Sequence, residues 1–323
     1  MPMILAGIDE AGYGPLLGPL VVGAVAFETP HQLGDDLPEI GDMLHPVVVA
    51  APPIPHGSLV IADSKIVHRL SNGLAHLETA TVLGAVLSGG MACPGTLAAL
   101  ATAAGAPPAC PLPWYRWDAA PVPRWAGEGA LGITKSMLQS RLSSRNLRID
   151  LLQAYIIDEG QFNRLVSNTR NKAAVLTSHV MRHLHFIAQR YINIDTWVIV
   201  DKNGGRDHYL DMLLRTFPEA RWKVACESAE LSRYQWQCDG RILRIDFRQK
   251  AEQACAATAW ASMVCKYFRE RAMEQFNLWW SAALPVYIKP TAGYYTDAMR
   301  WLDQAAEHLH HSGFSRDDFV RLR

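Results

Sequence analysis

Apolar residues along the chain fall into short unbroken runs and longer periodic stretches, and the two kinds alternate. Met3 to Ile8 and Leu20 to Phe27 (LVVGAVAF) have the continuous apolar character of strands buried on both faces. Between them AGYGPLLGP is rich in turn formers. Asp35 to Pro55 is proline-rich and reads as a connection, and the short apolar run Ser58 to Ala62 stops at Asp63-Ser64-Lys65. Leu70 to Leu87 has helical spacing, as does Ala173 to Tyr191, which is followed by the β-branched strand Thr196 to Val200 ending at Asp201. Arg221 to Cys226 and Ile242 to Phe247 read as further strands. Ala251 to Phe276 contains neither Gly nor Pro and is expected to form one long helix; a last helix spans about Thr296 to His311. Strands alternating with helices define an α/β class.

Composition changes this picture at one place. From Gly89 to Gly132 the chain is dense in Ala, Gly and Pro and carries Trp114, Trp117 and Trp125. Residues from about 90 to 148 are therefore expected to form an insertion packed on the surface of a main domain spanning 1–280, with 281–323 as a helical C-terminal extension. The three tryptophans would form either a small satellite core or a platform on which bases stack.

Half of the residues are hydrophobic (49%) and 19% are charged, the balance of a globular protein with a real core. Lys plus Arg equals Asp plus Glu, 31 against 31, which argues against coating nucleic acid by bulk charge but leaves room for a local basic patch beside an acidic site. The six cysteines form no C-x-x-C pair and read as reduced thiols rather than a zinc site. No uncharged apolar run is long enough for a transmembrane helix. The apolar start lacks a basic leader and meets Asp9 and Glu10 at once, so it is expected to belong to the fold of a cytoplasmic, monomeric protein without membrane attachment.

Acids stand where strands are expected to stop: Asp9 and Glu10 after the first, Asp201 after TWVIV. Strand ends at one edge of an α/β sheet commonly form a ligand crevice. Carboxylates gathered there repel unless a cation neutralises them, and an all-oxygen cluster suits Mg²⁺ or Mn²⁺. Adjacent strand residues point to opposite faces, so Asp9 and Glu10 are expected to converge only because Gly12 and Gly14 let the chain turn. Glu270 is a further acid, on the long helix with Lys266 four residues earlier.

Several motifs, in order, resemble one family, ribonuclease HII. GIDEAGYGPLLGPLVVGAV from Gly7 is similar to its opening G-x-D-E-A-G-R-G-P, and ADSK at Ala62–Lys65 to its N-D-S-K. IDE at Ile157–Glu159 resembles its I-D-E, where a helix leads into a strand; VIVDKN at Val198–Asn203 resembles its strand ending in I-D-G-N. QKAE at Gln249–Glu252 is similar to its K-A-D, ASMVCKYFRER from Ala261 to its A-S-I-L-A-K-V-T-R-D-R, AGYYT at Ala292–Thr296 to its G-Y-x-T, and the closing RDDFVRLR to its basic tail.

The resemblance implies a ribonuclease H-like fold, a mixed five-stranded central sheet flanked by helices with a small helical C-terminal extension. It implies four metal-binding acids, falling on Asp9, Glu10, Asp201 and Glu270. Two Mg²⁺ or Mn²⁺ ions about 4 Å apart would serve hydrolysis of the RNA strand in RNA–DNA hybrids, or of ribonucleotides embedded in duplex DNA, leaving 5′-phosphate and 3′-hydroxyl ends. Substrate would be read by the loop Gly12, Tyr13 and Gly14 and by Tyr294, with Lys65 and Lys250 on phosphates.

Two positions depart from the family pattern. Tyr13 replaces the arginine of G-R-G, and Glu270 replaces an aspartate, one methylene longer. A rival reading is a hybrid-binding protein of the same fold that has lost turnover. A dinucleotide loop at GYGPLLG is disfavoured, because a strand and not a helix follows it. His308, His310 and His311 read as a solvated helix face.

Overall fold

The computed structural model describes residues 2–34, 36–106, 110–202 and 206–322. Asn203 of the VIVDKN motif and the final Arg323 lie outside them, as does Asp35 of the proline-rich connection.

The chain opens with a hairpin of β1 (Met3–Ala11) and β2 (Leu20–Thr29), then passes through α1 (Ile40–Leu44). The short strands β3 (Val48–Val49) and β4 (Leu59–Val60) pair in parallel, and α2 (Ser64–His68) and α3 (Gly73–Gly89) follow. The Ala- and Pro-rich region holds α4 (Leu97–Ala103) and α5 (Glu128–Ser144). Next come β5 (Arg148–Ile157), α6 (Glu159–Thr169), α7 (Lys172–Arg190), β6 (Thr196–Asp201) and α8 (Leu210–Thr216). Three strands, β7 (Lys223–Glu227), β8 (Leu231–Cys238) and β9 (Arg241–Arg248), precede α9 (Ala251–Ala254), α10 (Ala256–Ala283) and α11 (Tyr295–Leu309).

The main sheet runs β5-β2-β1-β6-β9-β8-β7. Its first five strands are the expected mixed sheet: β1, β6 and β9 are parallel neighbours, and β2 lies antiparallel between β1 and β5. The β7–β8 hairpin, antiparallel to β9, extends it to seven. The buried residues of β1 alternate between two apolar layers with the period of two that a strand requires. Met3 and Leu5 face α3 and α10, whereas Ile4, Ala6 and Ile8 face α6 and α7.

Three expectations are corrected. IDE joins a strand to a helix, β5 to α6, the reverse of the expected order. Ala251 to Phe276 is not one helix: at Cys255 the backbone is extended (φ −140°, ψ 119°), dividing α9 from α10. Nothing in composition announces that break; tertiary contacts impose it. The amide of Ala251 is held by the Asp201 carboxylate at 3.0 Å, and the first turn of α10 presses on β1 at Gly7, where a Cβ would lie 2.1 Å from the Thr258 nitrogen. Only glycine allows two backbones this close.

The third correction concerns the tryptophans. Trp114 and Trp117 are buried in the main core and not in a satellite, so neither offers a face to a base. Trp114 packs against Phe276, Trp279, Trp280 and Phe314, and Trp280 in turn against Trp301 of α11. Trp125 stands edge-on to Tyr267 with the Arg271 guanidinium over its ring. The Ala- and Pro-rich region, α10 and the C-terminal helix thus share one hydrophobic cluster.

Candidate metal centre

Three neighbouring parallel strands end on the same edge of the sheet, and each end brings an acid. In the β1–β6 register Ile8 pairs with Val200, so Asp9 and Asp201 follow side by side on the face covered by α10. The third strand, β9, ends at Arg248 and turns through Lys250, whose left-handed φ of 52° starts α9 and carries Glu252 back towards Asp201.

Asp9 and Glu10 do not follow β1, as expected, but lie within it: the strand continues to Ala11, with Asp9 opposite Gly23 and Glu10 opposite Val22. The pleat therefore gives them different faces, and no glycine turn brings them together. They meet because β6 stops at Asp201, leaving the end of β1 open on that side. The Glu10 amide donates to the Asp9 carboxylate at 2.7 Å, and Glu10 feels the charges of Asp201, Lys65 and Glu252.

Electrostatics report the crowding. Burial, then the charges of Glu10 and Asp201, holds the Asp9 carboxyl well above the usual carboxylate range. Burial and Asp201 push Glu10 up to about 7. Asp201 is raised by burial and Glu252 by burial and then by Asp201, although a hydrogen bond shared by these two carboxyls tempers the rise at Asp201. Lys65 opposes the rise at Glu10, Asp201 and Glu252. The ADSK turn delivers it: Asp63 caps α2 by accepting the Lys65 amide at 2.8 Å, and buried Ser64 is hydrogen-bonded to Ser262 of α10 at 2.8 Å.

Glu270 stands elsewhere. It lies eight residues beyond Ser262, whose side chain hydrogen-bonds Asp9; that separation is about 12 Å along a helix. Its carboxylate forms an ion pair with Lys266 at 2.6 Å and lies 3.9 Å from the His68 ring. The expected quartet is therefore brought together in three members, and the acid beside them is Glu252. The sequence holds it in QKAE, two residues after Lys250 and inside the stretch expected as one unbroken helix.

Around the acids lie the other expected residues. Gly12 takes φ +91°, and a Cβ there would strike the Arg269 side chain at 2.8 Å; around Gly14 the space is open. Tyr13 is half-buried next to Glu10, whose charge helps burial to raise its phenol. The AGYYT segment docks on the same loop, since the Gly293 carbonyl accepts the amides of Leu16 and Leu17 at 2.8 and 3.1 Å. Arg269 links both sides by donating to the Ala292 carbonyl at 2.8 Å with its guanidinium 5.6 Å from the Tyr294 ring centroid. Tyr294 remains 53% exposed, available to a ligand.

Asp9, Glu10, Asp201 and Glu252 offer only hard oxygen donors, and their mutual repulsion is what a divalent cation relieves, so the set fits Mg²⁺ or Mn²⁺ in kind. Among the described residues, no three His, Cys, Asp or Glu side chains are already closed around one ion position. The acids are gathered but not drawn in.

No protein-family model and no curated protein matches the chain. Solved structures similar to it include the ribonuclease HII of Archaeoglobus fulgidus in complex with PCNA, at 16% identity over 99% of this chain and 92% of that one, with a TM-score of 0.46. The ribonuclease H2 of Pyrococcus horikoshii OT3 is 12% identical over 98% and 92%, TM-score 0.46. Bst-RNase HIII, solved in complex with Mn²⁺, is 15% identical over 99% of this chain and 66% of that one, TM-score 0.42. The fold itself is a large mixed sheet flanked by helices, with a helical C-terminal region. No helix is long and apolar enough to cross a membrane among the described residues.

Proposed function

We propose that the chain is a metal-dependent endoribonuclease that hydrolyses the RNA strand of RNA–DNA hybrids, or ribonucleotides embedded in duplex DNA. The observation that carries this reading is the convergence of Asp9, Glu10 and Asp201 with Glu252 at the ends of three parallel strands, each carboxyl raised by burial and, at Asp9, Glu10 and Glu252, further by neighbouring acids. These four residues would hold the metal; Glu252 takes the place first given to Glu270. Bound Mg²⁺ or Mn²⁺ supplies Lewis-acid activation of water and stabilises the charge on the departing 3′ oxygen.

The chain's own groups supply the rest. Asp9 and Asp201, side by side on rigid strands, would hold the metal at a fixed place relative to the sheet edge. Lys65 places a positive charge among the acids and limits their repulsion. The open backbone at Gly14 allows close approach to a 2′-hydroxyl or phosphate, and exposed Tyr294 offers a ring for stacking on sugar or base. Lys250, at the turn into α9, is suited to a backbone phosphate.

The test is cleavage of an RNA–DNA hybrid and of a DNA duplex carrying one ribonucleotide, each in Mg²⁺ and in Mn²⁺. Products with 5′-phosphate and 3′-hydroxyl ends are expected. Tight hybrid binding without cleavage in either metal would instead support a non-hydrolytic binding protein.

A further inference from the structure

Tyr13 stands between two glycines at the rim of the acid cluster, and two cations from different elements converge on it. Lys172, the first residue of α7, brings its ammonium to 5.0 Å from the centre of the Tyr13 ring. Arg206 acts on the phenol, its charge opposing that of Glu10. The helix that carries Lys172 is 19 residues long and begins with a side-chain cap, Asn171 accepting the Ala173 amide at 2.9 Å, so the lysine is presented from a rigid start that also bears partial positive charge. α7 packs on the opposite face of the sheet from α2, which carries Lys65. The acids are thus bracketed by positive charge from both sides of the sheet.

A polyanion approaching a cluster of carboxylates is repelled unless cations flank its path. An aromatic ring under a lysine orients the ammonium and limits the freedom lost on binding. We infer that Lys172, held over Tyr13, is a substrate-binding residue that grips a phosphodiester of the nucleic-acid strand next to the acid cluster. The inference rests on the functional reading above and assigns Lys172 a task that neither its sequence position nor any motif indicates. Tyr13 then acts as a positioning residue, its ring seating the lysine.

The experiment measures hybrid cleavage and hybrid binding as a function of salt for wild type, Lys172→Ala, Lys172→Arg and the double variant Lys172→Ala/Tyr13→Arg. Lys172→Ala is expected to raise KM about tenfold with kcat nearly unchanged, the signature of one lost charge-assisted contact. The slope of log affinity against log salt should fall by about one. Lys172→Arg retains affinity, and arginine at position 13 restores it in the double variant by returning a cation to the same place. Thermal stability of Lys172→Ala should match wild type, separating binding from folding. A wild type that cleaves hybrid while Lys172→Ala keeps its KM and salt slope overturns the inference alone. A wild type that neither binds nor cleaves hybrid overturns the functional reading and this inference with it.

Discussion

Two buried carboxylates touch α10 and are treated in opposite ways. Glu78 of α3, with no accessible surface, accepts the backbone amides of Arg124, Trp125 and Ala126 at 2.6–2.9 Å and the hydroxyl of Tyr267 at 3.0 Å. Asp9, almost as buried, accepts one backbone amide and a hydrogen bond from Ser262, and otherwise faces the charges of Glu10 and Asp201. A buried carboxylate must be compensated. At Glu78 the protein supplies the compensation itself and gains an anchor for the segment that leads into α5. At Asp9 it withholds donors and adds further acids, which is sensible only where something from outside completes the site. The difference between a structural and a functional acid thus lies in who provides the partner.

The comparison can be broken most forcefully at Asp201. Replacing it by Asn should lower hydrolysis at least a thousandfold, the loss of about 4 kcal/mol of transition-state stabilisation. It should also raise the melting temperature measured in chelator, because one of the repelling charges is gone. Activity persisting in Asp201→Asn, or a lower melting temperature without metal, would contradict the assignment. Glu78 should behave in reverse. Glu78→Ala leaves three amides and a hydroxyl without their acceptor and is expected to destabilise by about 3 kcal/mol, read by chemical denaturation, while the activity of the folded fraction is retained.

A smaller effect separates the two glutamates of the α9–α10 region. Glu252→Gln is expected to reduce hydrolysis on the order of a hundredfold, whereas Glu270→Gln changes it by less than about threefold, since Glu270 is committed to a part-buried i,i+4 pair with Lys266. Equal losses in the two variants, measured as kcat/KM on one hybrid, would mean that Glu270 also reaches the acids.

That pair shows where sequence reasoning ran out. Asp9, Glu10 and Asp201 were legible because unbroken apolar runs mark the two parallel strands, although β1 runs three residues past Ile8 and carries both its acids within it. Glu252 was not, because a stretch without Gly or Pro gave no reason to break the helix at Cys255; the break comes from Asp201 and Gly7, both distant in sequence. The strand β8 was missed for another reason. Its alternation of Arg233, Tyr234, Gln235, Trp236 and Gln237 is a half-buried strand's period of two, with no continuous apolar run to mark it. The tryptophans Trp114 and Trp117 were misplaced because composition marks an insertion without saying how deeply its aromatics enter the core.

Glu159 lies between the two extremes and gives the finest test. Its carboxylate is fully buried and accepts the Gly18 amide and the Tyr115 hydroxyl, both at 2.9 Å, with Arg321 nearby. These partners do not offset burial, which pushes its pKa up to about 7 from the ordinary 4.5. Below pH 4.5 the group is protonated in both folded and unfolded chains and contributes no pH dependence. Between 4.5 and about 7 the unfolded chain releases the proton and the folded chain keeps it, so stability falls as pH rises. Above about 7 both forms are ionised and the dependence levels off. Glu159→Gln removes this titration, so the melting temperature of wild type relative to the variant should drop by a few °C between pH 5 and pH 7 and then stay level. A difference independent of pH would mean that Gly18, Tyr115 and Arg321 compensate this carboxylate as fully as the amides around Glu78 do theirs.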